Sequence, residues 1–379
     1  MTQAGSVANP SSSWFKRIVL PGLAFKAVVI GGGYATGREI AEFFLPAGPW
    51  GGLAAMLLAM VIWSVVCVAT FLFARSVGAT EYRAFFHALL GRGWVVFELA
   101  YALFVILILA VFGAAAGAIA HALLGVPPLL GTLALMAGIG AFAAFGNTAV
   151  ERLFAYVSLL LYTVYVLFVL FAVPAFGDRI SAAFAVAGAL PSGWAAGGVT
   201  YACYNIIGAV IILPVTRHLT SNRDAVLAGL AAGPLAMLPA FLFFICMSAF
   251  VPEIAGEVLP SDFMLQRLGI PAFHLMFQLM IFAALLESGT GAVHAINERI
   301  AAAWRRSRGT APGRTVRGAI ALVLLISCML LAERVGLVAL IANGYRALAY
   351  VLLAIYVLPL LTVGLWRLAH VNAIRKERV

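Results

Sequence analysis

The chain has 379 residues, of which 64% are hydrophobic and 10% charged, with a formal net charge of +10. A soluble domain of this length cannot bury so much apolar side chain, since ordinary domains run near half apolar and a quarter charged. Lipid has to be the solvent for the excess, which excludes a soluble enzyme or a nucleic-acid-binding domain and leaves the positive charge to be read by its position.

The first fourteen residues are largely polar and lack the basic, apolar and small-residue order of a cleavable signal, so residues 1–16 read as a cytoplasmic tail. Apolar runs bounded by Gly, Pro and charge then give ten spans: 17–45, 51–75, 93–124, 127–146, 151–176, 193–215, 224–251, 268–303, 315–333 and 335–367. Residues 368–379 form a second tail. Turn residues separate the spans at Pro46-Ala47-Gly48-Pro49, Pro127-Pro128, Gly146-Asn147 and Pro191-Ser192-Gly193. Cys67, Cys203, Cys246 and Cys328 lie inside apolar runs, with neither paired nor metal-ligand spacing. They read as buried thiols, and no metal or cofactor is expected.

The charges test this layout. With the N-terminus inside, eighteen of the 24 Lys and Arg fall on inner segments, Lys16, Arg75, Arg152, Arg217, Arg305 and Arg375 among them. Only Arg179, Arg267 and Arg334 fall on outer loops, and Lys26, Arg38 and Arg346 lie within spans. Such a bias places both termini in the cytoplasm, with the bilayer as the chain's standing partner.

Five spans occupy 17–176 and five occupy 193–367. An odd number per half makes the second half enter from the opposite side, the inverted-repeat arrangement of many secondary transporters. The first span of each half is irregular. Span 1 carries Gly31-Gly32-Gly33-Tyr34-Ala35-Thr36-Gly37 at mid-depth, and span 6 carries Gly197-Gly198 and then Tyr201, Tyr204, Asn205 and Gly208. Glycine in a helix interior costs about 1 kcal/mol relative to alanine, so span 1 is expected to unwind. In span 6 the glycines serve equally well as a close-packing seam. Unwound backbone at membrane depth is tolerable where it lines a cavity.

The stretch Gly31–Glu39, ahead of Phe43-Phe44, resembles the first helix of YkvI-like permeases of the amino acid–polyamine–organocation superfamily. The resemblance implies an all-α integral membrane protein with the leucine-transporter fold: ten transmembrane helices, a 5+5 inverted repeat, and broken helices 1 and 6. It also implies a carrier of amino acids or amines driven by protons or sodium.

An unwound span 1 would offer carbonyls near Ile30-Gly31 and amide groups beyond Thr36, suiting the two ends of a zwitterion. Substrate contacts are accordingly expected from Gly31, Gly32, Gly33, Tyr34, Ala35, Thr36, Gly37, Tyr101, Tyr201, Tyr204, Asn205 and Gly208. Coupling is expected at Lys26, Glu287, Ser288, Thr290 and His294. Lys26 would stand as a built-in cation where sodium-coupled relatives bind the ion, Glu287 and His294 share one helix face, and a membrane-buried carboxyl can carry a proton. The hydroxyls of Ser288 and Thr290 are of the type that holds sodium in related carriers, but they are not adjacent as there, which favours the proton. Arg38, Glu39 and Arg346 are candidates for an outer gate between spans 1 and 10, and Glu42 reads as rim.

The expected function is a secondary transporter in the cytoplasmic membrane that moves an amino acid or small zwitterion by alternating access with protons. The alternatives are a sodium-coupled carrier of an amine or small carboxylate, or a membrane sensor on the same scaffold. No HExxH, GxSxG or phosphate-loop motif points to an enzyme.

Overall fold

A computed structural model of the protein describes residues 13–376 except Gly146 and Ala311. Every regular element among them is helical. Most of the tail expected at 1–16 lies outside the described residues, as do residues 377–379 and the side chain of Arg152.

A short irregular helix is followed by α1 (Leu20–Val29), α2 (Gly32–Ala35) and α3 (Arg38–Phe43). Then come α4 (Gly48–Val77), α5 (Tyr82–Leu90), α6 (Trp94–Leu124), α7 (Pro128–Phe145) and α8 (Asn147–Val186). The second half opens with α9 (Trp194–Asn205) and α10 (Ile207–Ile211), followed by α11 (Asn222–Ser248), α12 (Pro260–Leu268), α13 (Pro271–Arg308) and α14 (Arg314–Val335). The last stretch strings α15 (Leu337–Ala339), α16 (Arg346–Leu352) and α17 (Leu365–Lys376) together through wider π-type turns. Among the described residues 8 helical stretches are long and apolar enough to cross a membrane, and Pro128–Ala143 is a shorter apolar helix.

The boundaries depart from expectation where polar residues looked like an end. The fifth span was to stop at 176, yet α8 runs on to Val186. Asp178 and Arg179 are exposed there, so their charges interrupt nothing. The sixth ends early, at Ile211, because Pro214 opens a tighter 3-10 turn over Leu213–His218. Two connections hold short helices of their own, α5 and α12.

The helices pack in two groups. In one, α1 lies on α11, α11 on α4, α4 on α9, and α9 on α16. In the other, α6 packs with α7, α13 and α14, while α13 also meets α7 and α8; α8 packs on α11 as well and so joins the two groups. Between lipid-compatible helices, attraction comes from close backbone approach and from hydrogen bonds. A Cβ on Gly229 or Gly233 of α11 would overlap the α4 backbone at Val68 or Met60, and one on Gly131 of α7 would overlap the Ala116 carbonyl of α6. Hydrogen bonds fasten the same seams: Ser64 Oγ donates to the Leu230 carbonyl at 3.1 Å, and Thr132 Oγ1 to the Gly113 carbonyl at 2.8 Å.

Gly229→Ala should therefore force α4 and α11 apart and destabilise the protein by about 1–3 kcal/mol, seen as a lower thermal midpoint in detergent. Gly177→Ala, with open space at its Cβ, should melt no lower than wild type. Equal midpoints for the two variants would contradict the close seam.

Candidate functional site at the helix break

The glycine run interrupts the first helix twice. Ile30, with ψ at 78°, ends α1, and Gly37, with φ at +78°, starts α3 in the left-handed region where a side chain is strained. Between them α2 makes a single turn, closed by Ala35 N–H to the Gly31 carbonyl at 3.0 Å.

The second interruption is roofed by α12. Ser261 N–H donates to the Thr36 carbonyl at 3.0 Å, and Phe243 and Pro260 fill the space a Cβ on Gly37 would take. Thr36 Oγ1 donates to the Gly33 carbonyl at 3.0 Å and accepts from Arg38 N–H at 3.4 Å. The amide end expected to receive a carboxylate in the cavity thus lies against this roof.

The first interruption opens on a cavity of about 20 Å³, enough for about one ordered water and not for an amino acid. One wall is Val28, Val29, Gly31 and Glu39; a second is Tyr204, Asn205 and Ile207; a third is Phe104, Ile108 and Phe112 of α6; Tyr345 closes it. Its walls come from both helix groups. Glu39 is buried, and Tyr204 Oη donates to its Oε2 at 2.5 Å. The other carboxylate oxygen lies over Gly33, where any Cβ would overlap it. Tyr34, Tyr165, Tyr201 and Tyr345 stand within electrostatic range of the carboxyl. Tyr204 and Tyr345 stack with ring centroids 4.4 Å apart.

The gate charges are arranged differently from expectation. Arg38 donates to the carbonyls of Ala255 and Glu257 at 2.9 and 2.8 Å, and pairs with Glu42 at 2.9 Å. Arg346 approaches the same Glu42 at 3.7 Å. Glu42, read as rim, holds both arginines, while Glu39 points inward.

Of the other expected contacts, Tyr101 stands apart from the cavity. The Arg299 guanidinium lies 3.3 Å from its ring centroid and 3.6 Å from that of Tyr82, with Glu98 at 3.4 Å. The face of α6 that reaches the cavity begins at Phe104. The second broken helix is broken only mildly: α9 runs through Gly197-Gly198, and the interruption is Ile206 alone, which keeps right-handed dihedrals. A Cβ on Gly197 or Gly198 would overlap the carbonyl of Phe43 or Ala55, so those glycines serve packing. Gly208 lies against Phe25 of α1.

The coupling candidates occupy a separate place. Lys26 is buried, with Nζ 3.4 Å from the ring centroid of Tyr162 on α8, and Glu287 of α13 lies within electrostatic range of the same tyrosine. Lys26 and Glu287 are not in ion-pair contact. Thr290 Oγ1 donates to the Leu286 carbonyl of its own helix at 2.7 Å, and Ser288 and His294 are half-buried on α13. Sequence reasoning missed Tyr162, Tyr165 and Tyr345. Phe104, Ile108 and Phe112 do fall at four-residue spacing, but α6 is apolar all round, which hides the face.

Arg38→Gln removes both bonds to the 255–257 loop. Amide hydrogen exchange at residues 254–257 should then speed by roughly tenfold, while exchange in α4 stays unchanged. Unaltered exchange in the loop would show that Arg38 does not hold it.

No family model and no curated protein matches this chain. Solved structures do. A Na+-coupled sialic acid symporter, in a substrate-bound outward-open state, superposes with a TM-score of 0.62 at 14% identity, over 93% of this chain and 79% of that one. MhsT in complex with L-phenylalanine gives 0.60 at 16% identity, over 96% and 98%. The Eremococcus coleocola manganese transporter gives 0.55 at 16% identity, over 95% and 81%. With its apolar helices, the chain is a multi-pass membrane protein of the leucine-transporter fold.

Proposed function

We propose that this protein is a secondary active transporter that moves an amino acid or related small zwitterion across the cytoplasmic membrane by alternating access, coupled to protons. The observation that carries the reading is a non-helical stretch of α1–α3 meeting a small cavity whose walls come from both groups of helices. Unwound backbone at membrane depth belongs where it lines a cavity, and a site walled by both groups opens to either side as one group moves against the other. Similarity to known transporters over nearly the whole chain supports the same reading, and favours it over an enzyme.

The topology follows. The 8 long apolar stretches, with the broken first helix and the shorter α7, make ten crossings in two inverted halves, both termini inside. Sodium is the coupling ion of one structural neighbour. Here protons fit better, because Lys26 is a built-in cation on α1, over the ring of Tyr162, and Ser288 and Thr290 are not an adjacent hydroxyl pair.

Reconstitution in sealed vesicles tests this. Amino acids should accumulate in response to a pH gradient and not a sodium gradient. Lys26→Met should remove the pH dependence, and Glu287→Gln should stop accumulation while keeping exchange. Binding without any flux would turn the reading towards a sensor, and accumulation that follows sodium would overturn the proton coupling.

A further inference from the structure

The cavity at the break is lined by a single charged residue. Arg38, the next residue along, spends its guanidinium on the Ala255 and Glu257 carbonyls and on Glu42, and Arg346 also goes to Glu42. Among the described residues no cation is in ion-pair contact with Glu39. Among the described residues, the only hydrogen-bond donor to its carboxyl is the Tyr204 hydroxyl. A carboxylate left alone at membrane depth is costly, so its charge has to be neutralised by a proton or by a bound cation.

The surroundings favour an organic cation. Tyr204, Tyr345, Phe104 and Phe112 present rings to the cavity, and aromatic faces attract ammonium groups. The hydroxyls of Tyr165 and Tyr201 are buried with no hydrogen-bond partner, and both lie within electrostatic range of the Glu39 carboxyl. Neither lines the cavity as it stands; buried hydroxyls are normally satisfied, and an N–H of a ligand that widens the cavity would supply the missing partner. The bare Gly33 lets the carboxyl fold back to this position. No fixed cation lines the cavity to receive a carboxylate.

We propose that Glu39 recognises the ammonium group of the cargo, and that the ammonium takes the place of a proton on that carboxyl. The assignment rests on the transporter reading of the cavity, because it names that cavity's cargo: a small amine-bearing solute, for which a carboxylate is optional. Charge balances in the exchange. The neutral acid loses its proton to water as the ammonium arrives, and the occupied site holds one negative and one positive charge.

The test uses the purified full-length protein in detergent with a matched trio: ethylamine, alanine and propionate. Calorimetric titration in a weak buffer reads affinity, and a pH indicator reads protons. Ethylamine and alanine should bind, each releasing about one proton, and affinity should fall as the pH is lowered because protons compete. Propionate should not bind. Glu39→Gln should weaken ethylamine by roughly 30-fold or more and abolish proton release. Tyr201→Phe supplies a second variant: it removes an unpartnered hydroxyl, so the protein should melt no lower while ethylamine binds more weakly. Binding of propionate as tight as that of ethylamine overturns the proposal. So does unchanged affinity in Glu39→Gln, or stabilisation by sodium chloride with no effect of any of the three solutes. Vesicle flux separates the two readings. Ethylamine that binds through Glu39 but never crosses keeps this assignment and overturns transport; flux that is indifferent to Glu39→Gln does the reverse.

Discussion

A backbone that stops being helical in the middle of a membrane leaves N–H and C=O groups without partners, and much of this structure answers that deficit. At the Thr36–Gly37 corner the answer comes from outside the helix: Ser261 caps the Thr36 carbonyl and the Thr36 hydroxyl returns to Gly33. At the Ile30–Gly31 corner the backbone faces a small cavity instead. The two corners therefore have different fates. One is built into the loop that carries α12, and the other opens on the cavity. Arg38 fixes this division, because its guanidinium ties α3 to the 255–257 loop and so leaves Glu39 turned inward without a counter-charge.

The two helix groups give that arrangement a way to move. On either side of α4, glycines bring the backbones of α9 and α11 close, and a hydrogen bond fastens α4 to α11. The same holds where α6 meets α7. The groups meet through side chains at the cavity, and they also meet where α8 packs on α11. There the face of α6 stands across the cavity from Tyr204, Asn205 and Glu39. At about 20 Å³ the cavity has room for about one water, so a larger solute fits only if its walls move apart.

The sequence made the break in the first helix legible, because four glycines in seven residues have no other economical use at mid-membrane. It could not say which acidic residue turns inward. Glu39 and Glu42 are three residues apart and share a helix face; the bare Gly33 and the carbonyls of a distant loop decide between them. Tyr101 was selected for its residue type, and the cavity instead uses Phe104 and the residues at four-residue spacing after it. A helix that is apolar all round gives no amphipathic signal to distinguish a cavity face from a lipid face. In the second half Gly197-Gly198 looked like a break and is a packing seam, since Phe43 and Ala55 approach too closely for any side chain. Glycine content alone does not separate the two uses.

On the reading proposed above, the cargo sits at the break in the first helix, with Glu39 folded back over Gly33. The most direct measurement is an experimental density map of the protein with ethylamine bound, at a resolution that resolves the ligand. The account predicts the nitrogen within hydrogen-bond distance of the Glu39 carboxylate, beside the rings of Tyr204 and Tyr345 and within reach of the Val29–Gly31 backbone. Density at the Arg38–Glu42 cluster or beside Lys26, with the cavity at the break still closed, would contradict it.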